Sequence, residues 1–168
     1  PARGGGARGP SGSGGGPVWG AVEWTTRVSE EERAMRRYVI DAPVALELGR
    51  TGVRPGKGVQ LVAPTLIRSQ LVSRLYRDVR SGELTRQDAE RWLDHIRSLR
   101  IRVLGDRVLL HVAWDVADHL GWPDTLAAEY VALTRLQADA LVTFDEELAR
   151  QAVAVVRVAG YEELLRSE

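Results

Sequence analysis

Two aspartates hold most of the chemical content of this sequence. Asp41 closes the run Arg37-Tyr38-Val39-Ile40, and Asp145 closes Ala140-Leu141-Val142-Thr143-Phe144. Both runs are rich in β-forming apolar residues, and each precedes a segment with helical character. In an open parallel sheet, ligands bind beyond the carboxyl ends of the strands. Two carboxylates placed there converge on one cleft and offer hard oxygen ligands to Mg²⁺ or Mn²⁺. A cation held in this way can activate water and offset charge on a phosphodiester. The competing assignment makes each Asp only a helix N-cap, accepting hydrogen bonds from the free N–H groups of the next turn. The matching placement of the two residues favours the metal.

The elements that must carry these aspartates follow from alternating apolar patterns. A helix is expected from Pro43, and Val59–Val62 reads as a second short strand. A long amphipathic helix is expected from about Pro64 to Arg80, with Leu66, Ile67, Leu71, Val72, Leu75, Tyr76 and Val79 at helical spacing. Ser81-Gly82 ends it. Thr85 with Asp88 opens a further helix, whose inner side is Ala89, Trp92, Leu93, Ile96 and Leu99. Ile101–Leu104 reads as a strand. A helix over Asp106–Leu120 carries Val108, Leu109, Val112, Val116 and Leu120 on one side. Gly121-Trp122-Pro123-Asp124 breaks the chain and caps a helix running to about Gln137. After the strand that ends at Asp145 come a short helix, a strand over Val153–Val158 and a last helix from about Tyr161. Strands alternating with helices of this length imply an α/β fold with a mainly parallel, buried sheet.

Residues 1–16 are mostly Gly, Ser, Pro, Ala and Arg, a composition that buries almost nothing and reads as a flexible extension or linker. Ser29 and Glu32 fit a capping box for a possible short helix. The division expected is therefore an N-terminal extension over 1–34 and one domain over 35–168 that opens at Met35, the sole methionine. The formal net charge is zero, so a nucleic-acid partner must be held by a local basic surface. With no cysteine, disulfides, thiolate metal sites and cysteine nucleophiles are excluded. No apolar run reaches the length of a membrane span and no signal peptide is evident, which points to a cytoplasmic protein. His95, His111 and His119 lack the i, i+4 spacing of a helical zinc site. The Gly-rich start lacks the strand and Lys of a phosphate loop. Arg68, Arg74, Arg77 and Arg80 recur along one helix, as a solvated face first and as an RNA or partner contact second.

Four segments resemble a known family. YVIDAPVAL at 38–46, LVAPTLIRSQLVSRLYR at 61–77, AAEYVAL at 127–133 and ALVTFDEELA at 140–149 stand in the order found in PIN domains. They are most similar to actinobacterial VapC toxins of VapBC toxin–antitoxin pairs, over roughly residues 36–167. The resemblance implies a PIN-like α/β/α sandwich and a site of three or four acidic residues. It also implies Mg²⁺-dependent cleavage of RNA (Mn²⁺ as substitute), a homodimer, and a cognate VapB-like antitoxin whose C-terminal tail inhibits the site.

Carried over residue by residue, Asp41 matches the first acid of the family and Asp145 its late acid. Thr143 matches the Ser/Thr often found two positions earlier. The slot of the second acid holds Gln70, which offers a neutral oxygen and no charge. The slot of the remaining acid holds Ala127. Asp124, one helical turn before it, is the candidate to compensate; Glu129 lies about 200° around the helix and should point elsewhere. The resulting expectation is an endoribonuclease toxin acting on structured RNA such as tRNA. Asp41 and Asp145 would hold the metal, Gln70 and Asp124 would complete the shell, and Thr143 would support it. Two alternatives stand beside it. One is a catalytically silent PIN domain, natural or substituted at Ala127, that binds RNA or its antitoxin without cutting. The other is a protein-interaction module whose acidic cleft receives an Arg, including Arg27 or Arg33 of the same chain.

Overall fold

The computed structural model describes residues 35–166. The expected N-terminal extension, its capping box, and Arg27 and Arg33 lie outside the described residues. Five strands form one all-parallel sheet in the order β3-β2-β1-β4-β5. The strands are β1 (Arg36–Ile40), β2 (Val59–Pro64), β3 (Arg102–Leu104), β4 (Ala140–Val142) and β5 (Val158–Ala159). The helices are α1 (Ala42–Thr51), α2 (Ile67–Ser81), α3 (Arg86–Ser98), α4 (Arg107–Leu120), α5 (Leu126–Gln137), α6 (Glu146–Ala152) and α7 (Glu162–Leu165). The order expected from the sequence is the order observed, and the sheet is parallel throughout.

Side chains alternate across each strand, so β1 feeds two cores. Tyr38 and Ile40 pack with Val44, Leu48, Ile67 and Ile96 on one face, beneath α1, α2 and α3. Val39 packs on the other face with Leu109, Val116, Val131 and Leu141, beneath α4, α5 and α6. Both faces of the central strands are covered, which is why they read as unbroken apolar runs. The two helical layers and the sheet make an α/β/α sandwich. Gly49 lets α1 approach α3 closely, because a Cβ there would stand 3.0 Å from Ile96 Cδ1 and 3.1 Å from the Trp92 carbonyl oxygen.

From β1 the chain builds outward through β2 and β3, then returns to the opposite side of β1 for β4 and β5. The strand order therefore reverses between β1 and β4. That switch opens a crevice at the carboxyl ends of these two strands.

Three local expectations are corrected. The long helix starts at Ile67 and not near Pro64, because Pro64 stays in the sheet opposite Leu104 and the Thr65 N–H donates to the Leu104 carbonyl at 3.1 Å. The last strand is limited to Val158–Ala159. Its expected first half instead turns back on α6, where the Val155 and Val156 N–H groups both donate to the Ala152 carbonyl at 2.9 Å. Val72, Tyr76 and Val108 are exposed although they fit helical periodicity. The buried stripe of α2 is Ile67, Leu71 and Leu75, and each exposed residue lies about 100° around its helix from a buried one.

Candidate active site

Asp41 and Asp145 are placed by the same local device. Each follows a strand of the sheet directly or after a two-residue link, and each is the N-cap of the next helix. Asp41 Oδ1 accepts the Val44 N–H at 3.0 Å, and Asp145 Oδ1 accepts the Leu148 N–H at 2.9 Å. Capping and cleft-lining thus coincide in both residues. The cap fixes the rotamer through one oxygen, and the second oxygen remains for other partners. In Asp41 that oxygen accepts a hydrogen bond from the Thr143 hydroxyl. The same hydroxyl accepts the Asp145 N–H at 3.0 Å, so Thr143 ties the two aspartates together.

Asp41 is 5% exposed. Burial pushes its carboxyl above the ordinary range, and the charge of Asp145 pushes in the same direction. The bonds from Thr143 and from the Val44 N–H oppose the rise by favouring the ionised form. Burial and the neighbouring carboxylate thus favour the neutral form of Asp41, and its hydrogen bonds favour the charged one.

The surrounding cleft has a volume of about 600 Å³. Gln70, Asp124 and Ala127 line it together with the two aspartates, while Thr143 stands behind them and is not part of the lining. Gln70 Oε1 already accepts a hydrogen bond from the Tyr130 hydroxyl, which leaves it one lone pair. Burial first, then the charges of Asp41 and Glu129, raise the Tyr130 phenol far above its usual range, so it stays protonated and remains a donor. Asp124 is exposed, and its Oδ1 accepts the Leu126 N–H at 2.9 Å, the role of a helix-start cap. Glu129 does not line the cleft; burial raises its carboxyl above the ordinary range.

Tyr130 lies in the AAEYVAL segment, and its contact with Gln70 across 60 positions has no signal in local spacing. Arg74 and Arg77 form part of the wall, so the α2 arginines divide: these two face the cleft, while Arg68 lines a separate apolar groove. Arg74 is partly neutralised by Asp78, its Nε lying 2.9 Å from Oδ1. Three carboxylates therefore face two guanidinium groups, a far milder negative field than four acids would make.

Among the described residues no three His, Cys, Asp or Glu side chains gather closely enough to hold a metal ion. The residues thus do not fit a cation enclosed by protein ligands. They do fit a hydrated Mg²⁺ or Mn²⁺, which keeps several waters and binds through one or two carboxylates together with substrate phosphates.

No family model matches the sequence, and no curated protein matches it. Among solved structures, PAE2754 from Pyrobaculum aerophilum aligns with a TM-score of 0.60 and 23% identity, covering 78% of this chain and 93% of that one. VapBC-1 from nontypeable Haemophilus influenzae aligns with a TM-score of 0.45 and 16% identity, covering 75% of this chain and 98% of that one. The first likeness shows a shared fold, the α/β/α sandwich on a parallel sheet described above.

Proposed function

We propose that this chain is a PIN-type, VapC-like endoribonuclease domain that cleaves structured RNA such as tRNA with Mg²⁺ or Mn²⁺. The observation that carries the reading is the convergence of Asp41 and Asp145 from adjacent strand ends on one cleft at the strand-order switch. Those two carboxylates would hold the cation, which when bound supplies water activation and neutralises charge at the phosphodiester. Thr143 supports the Asp41 carboxylate through its second oxygen, and its hydroxyl favours the charged form that a cation needs. Arg77 and Arg74 supply contacts for the RNA backbone along the α2 wall. The sequence resemblance adds a VapB-like antitoxin, a homodimer and a cytoplasmic setting to the proposal.

A second reading is favoured by one observation: Gln70, neutral and bonded to Tyr130, and Ala127 leave both of their slots without charge. On that reading the domain binds RNA or its antitoxin without cutting. Incubating a total tRNA pool with Mg²⁺ or Mn²⁺ separates the two, using the chain as it stands, Asp41→Ala and Ala127→Asp. Cleavage by the first that is lost in Asp41→Ala supports the nuclease. Cleavage by Ala127→Asp alone establishes the silent domain, and cleavage by none sinks the nuclease reading.

A further inference from the structure

A smaller pocket of about 270 Å³ adjoins the carboxylate cleft and shares Asp124, Ala127, Asp145 and Leu148 with it. Its remaining wall is Trp122, Pro123, Glu147 and Gln151. The volume falls below the range of about 300–1,000 Å³ usual for drug-sized ligands, which suits one planar ring system.

Trp122 is held firmly. Its backbone N–H donates to the Ala117 carbonyl at 2.9 Å, its indole Nε1–H donates to Gln151 Oε1, and it packs against the core beneath α4, α5 and α6. Pro123 directly after it fixes the backbone. Two polar side chains of the pocket, Gln151 and Glu147, are tied to each other. The Gln151 amide donates to Glu147 Oε1, and Glu147 is in turn paired with Arg150, whose Nε lies 3.1 Å from Oε2. What the pocket retains is a rigid, half-buried aromatic wall beside the carboxylates, while the Gln151 amide is held in place by one bond through its oxygen and one through its nitrogen.

We propose that this pocket receives one unstacked nucleobase of the RNA, stacked on Trp122, next to the phosphodiester that meets Asp145. The inference rests on the RNA reading above and names which part of an RNA the site accepts. Stacking is tolerant of sequence because every base has a π-face, so the pocket selects an unpaired nucleotide and not a particular letter. Loops and bulges of a folded RNA present such bases, whereas continuous duplex does not.

The test is a double-mutant cycle read by binding, in EDTA and at low salt so that no cleavage intervenes. A fluorescently labelled, short single-stranded RNA and an abasic ribose-phosphate strand of the same length are titrated with the chain as it stands, Trp122→Leu and Trp122→Phe. Urea unfolding confirms that each variant is folded. Trp122→Leu is expected to weaken the base-bearing RNA by about 5- to 100-fold while leaving the abasic strand unchanged. Trp122→Phe, which keeps a ring, is expected to recover most of the loss. Equal weakening of both strands, or of neither, overturns the subsite and leaves the RNA reading intact. Failure of the unsubstituted chain to bind either strand in EDTA, and to bind or cleave the base-bearing RNA with Mn²⁺, overturns the RNA reading, and the subsite with it.

Discussion

Thr143→Val is the substitution that probes the pairing of the two aspartates with least disturbance of shape. The hydroxyl it removes donates to Asp41 Oδ2 and accepts the Asp145 N–H. A hydrogen bond to an ionised carboxylate contributes about 1.5–3 kcal/mol, against about 0.5–1.5 kcal/mol for a neutral pair. Water can replace the bond to the exposed Asp145 N–H, so the expected loss at neutral pH is about 1.5–3 kcal/mol, nearly all of it from Asp41. The sign of the pH dependence follows from the raised Asp41 carboxyl. A group whose folded pKa exceeds its unfolded value favours folding fully below the unfolded pKa and loses that advantage as pH rises through the folded one. The Thr143 bond holds the folded value down, so removing it raises that value further and deepens the loss on the alkaline side. The deficit of Thr143→Val should therefore be largest at neutral pH and shrink to about 1 kcal/mol or less where Asp41 is protonated in both states. Urea unfolding at neutral pH and at the acid end of the folded range measures it, with Thr143→Ser expected to restore most of the stability. A deficit of equal size at both pH values would refute the claim that the hydroxyl serves an ionised carboxylate.

Three further outcomes are expected. Ala127→Asp adds a fourth carboxylate to the cleft wall, beside Asp41, Asp124 and Asp145, and should raise Mn²⁺ affinity by on the order of tenfold, read by calorimetric titration; an unchanged affinity would show that the position does not reach the ion. Tyr130→Phe removes the donor to Gln70 and should cost about 0.5–1.5 kcal/mol in urea unfolding, while Mn²⁺ affinity holds or rises as Gln70 Oε1 is freed. Leu48→Ala, at a fully buried position beneath β1, should cost about 2–5 kcal/mol, and a loss below about 1 kcal/mol would contradict the packing described for the first core.

The parallel sheet and the two aspartates were legible in the sequence because local signals coincide there. Val39 and Ile40 need burial on opposite faces, and Asp41 must both end a strand and start a helix. The same holds from Ala140 to Asp145. Where one signal stands alone, the structure departs from it. The β-formers at Val153–Val156 have no strand partner and curl back on α6, because a strand forms only where a neighbour supplies hydrogen bonds. Val72 and Tyr76 share the helical period of α2 but lie outside the stripe that meets the sheet, and periodicity cannot say how wide that stripe is. The site shows the same division. Asp41, Gln70, Asp124, Ala127 and Asp145 do meet in one cleft. The bond between Tyr130 and Gln70, and the pairing of Trp122 with Gln151, join distant segments whose meeting is set by the fold alone.

The central claim is that Asp41 and Asp145 form one divalent-cation site despite the uncharged residues at Gln70 and Ala127. Titration of Mn²⁺ followed by electron paramagnetic resonance tests it most directly, on the chain as it stands and on Asp41→Asn and Asp145→Asn. The account expects a single weak site that is lost in both variants. Binding that survives either substitution, or a chain that takes up no Mn²⁺ even with RNA present, would contradict it.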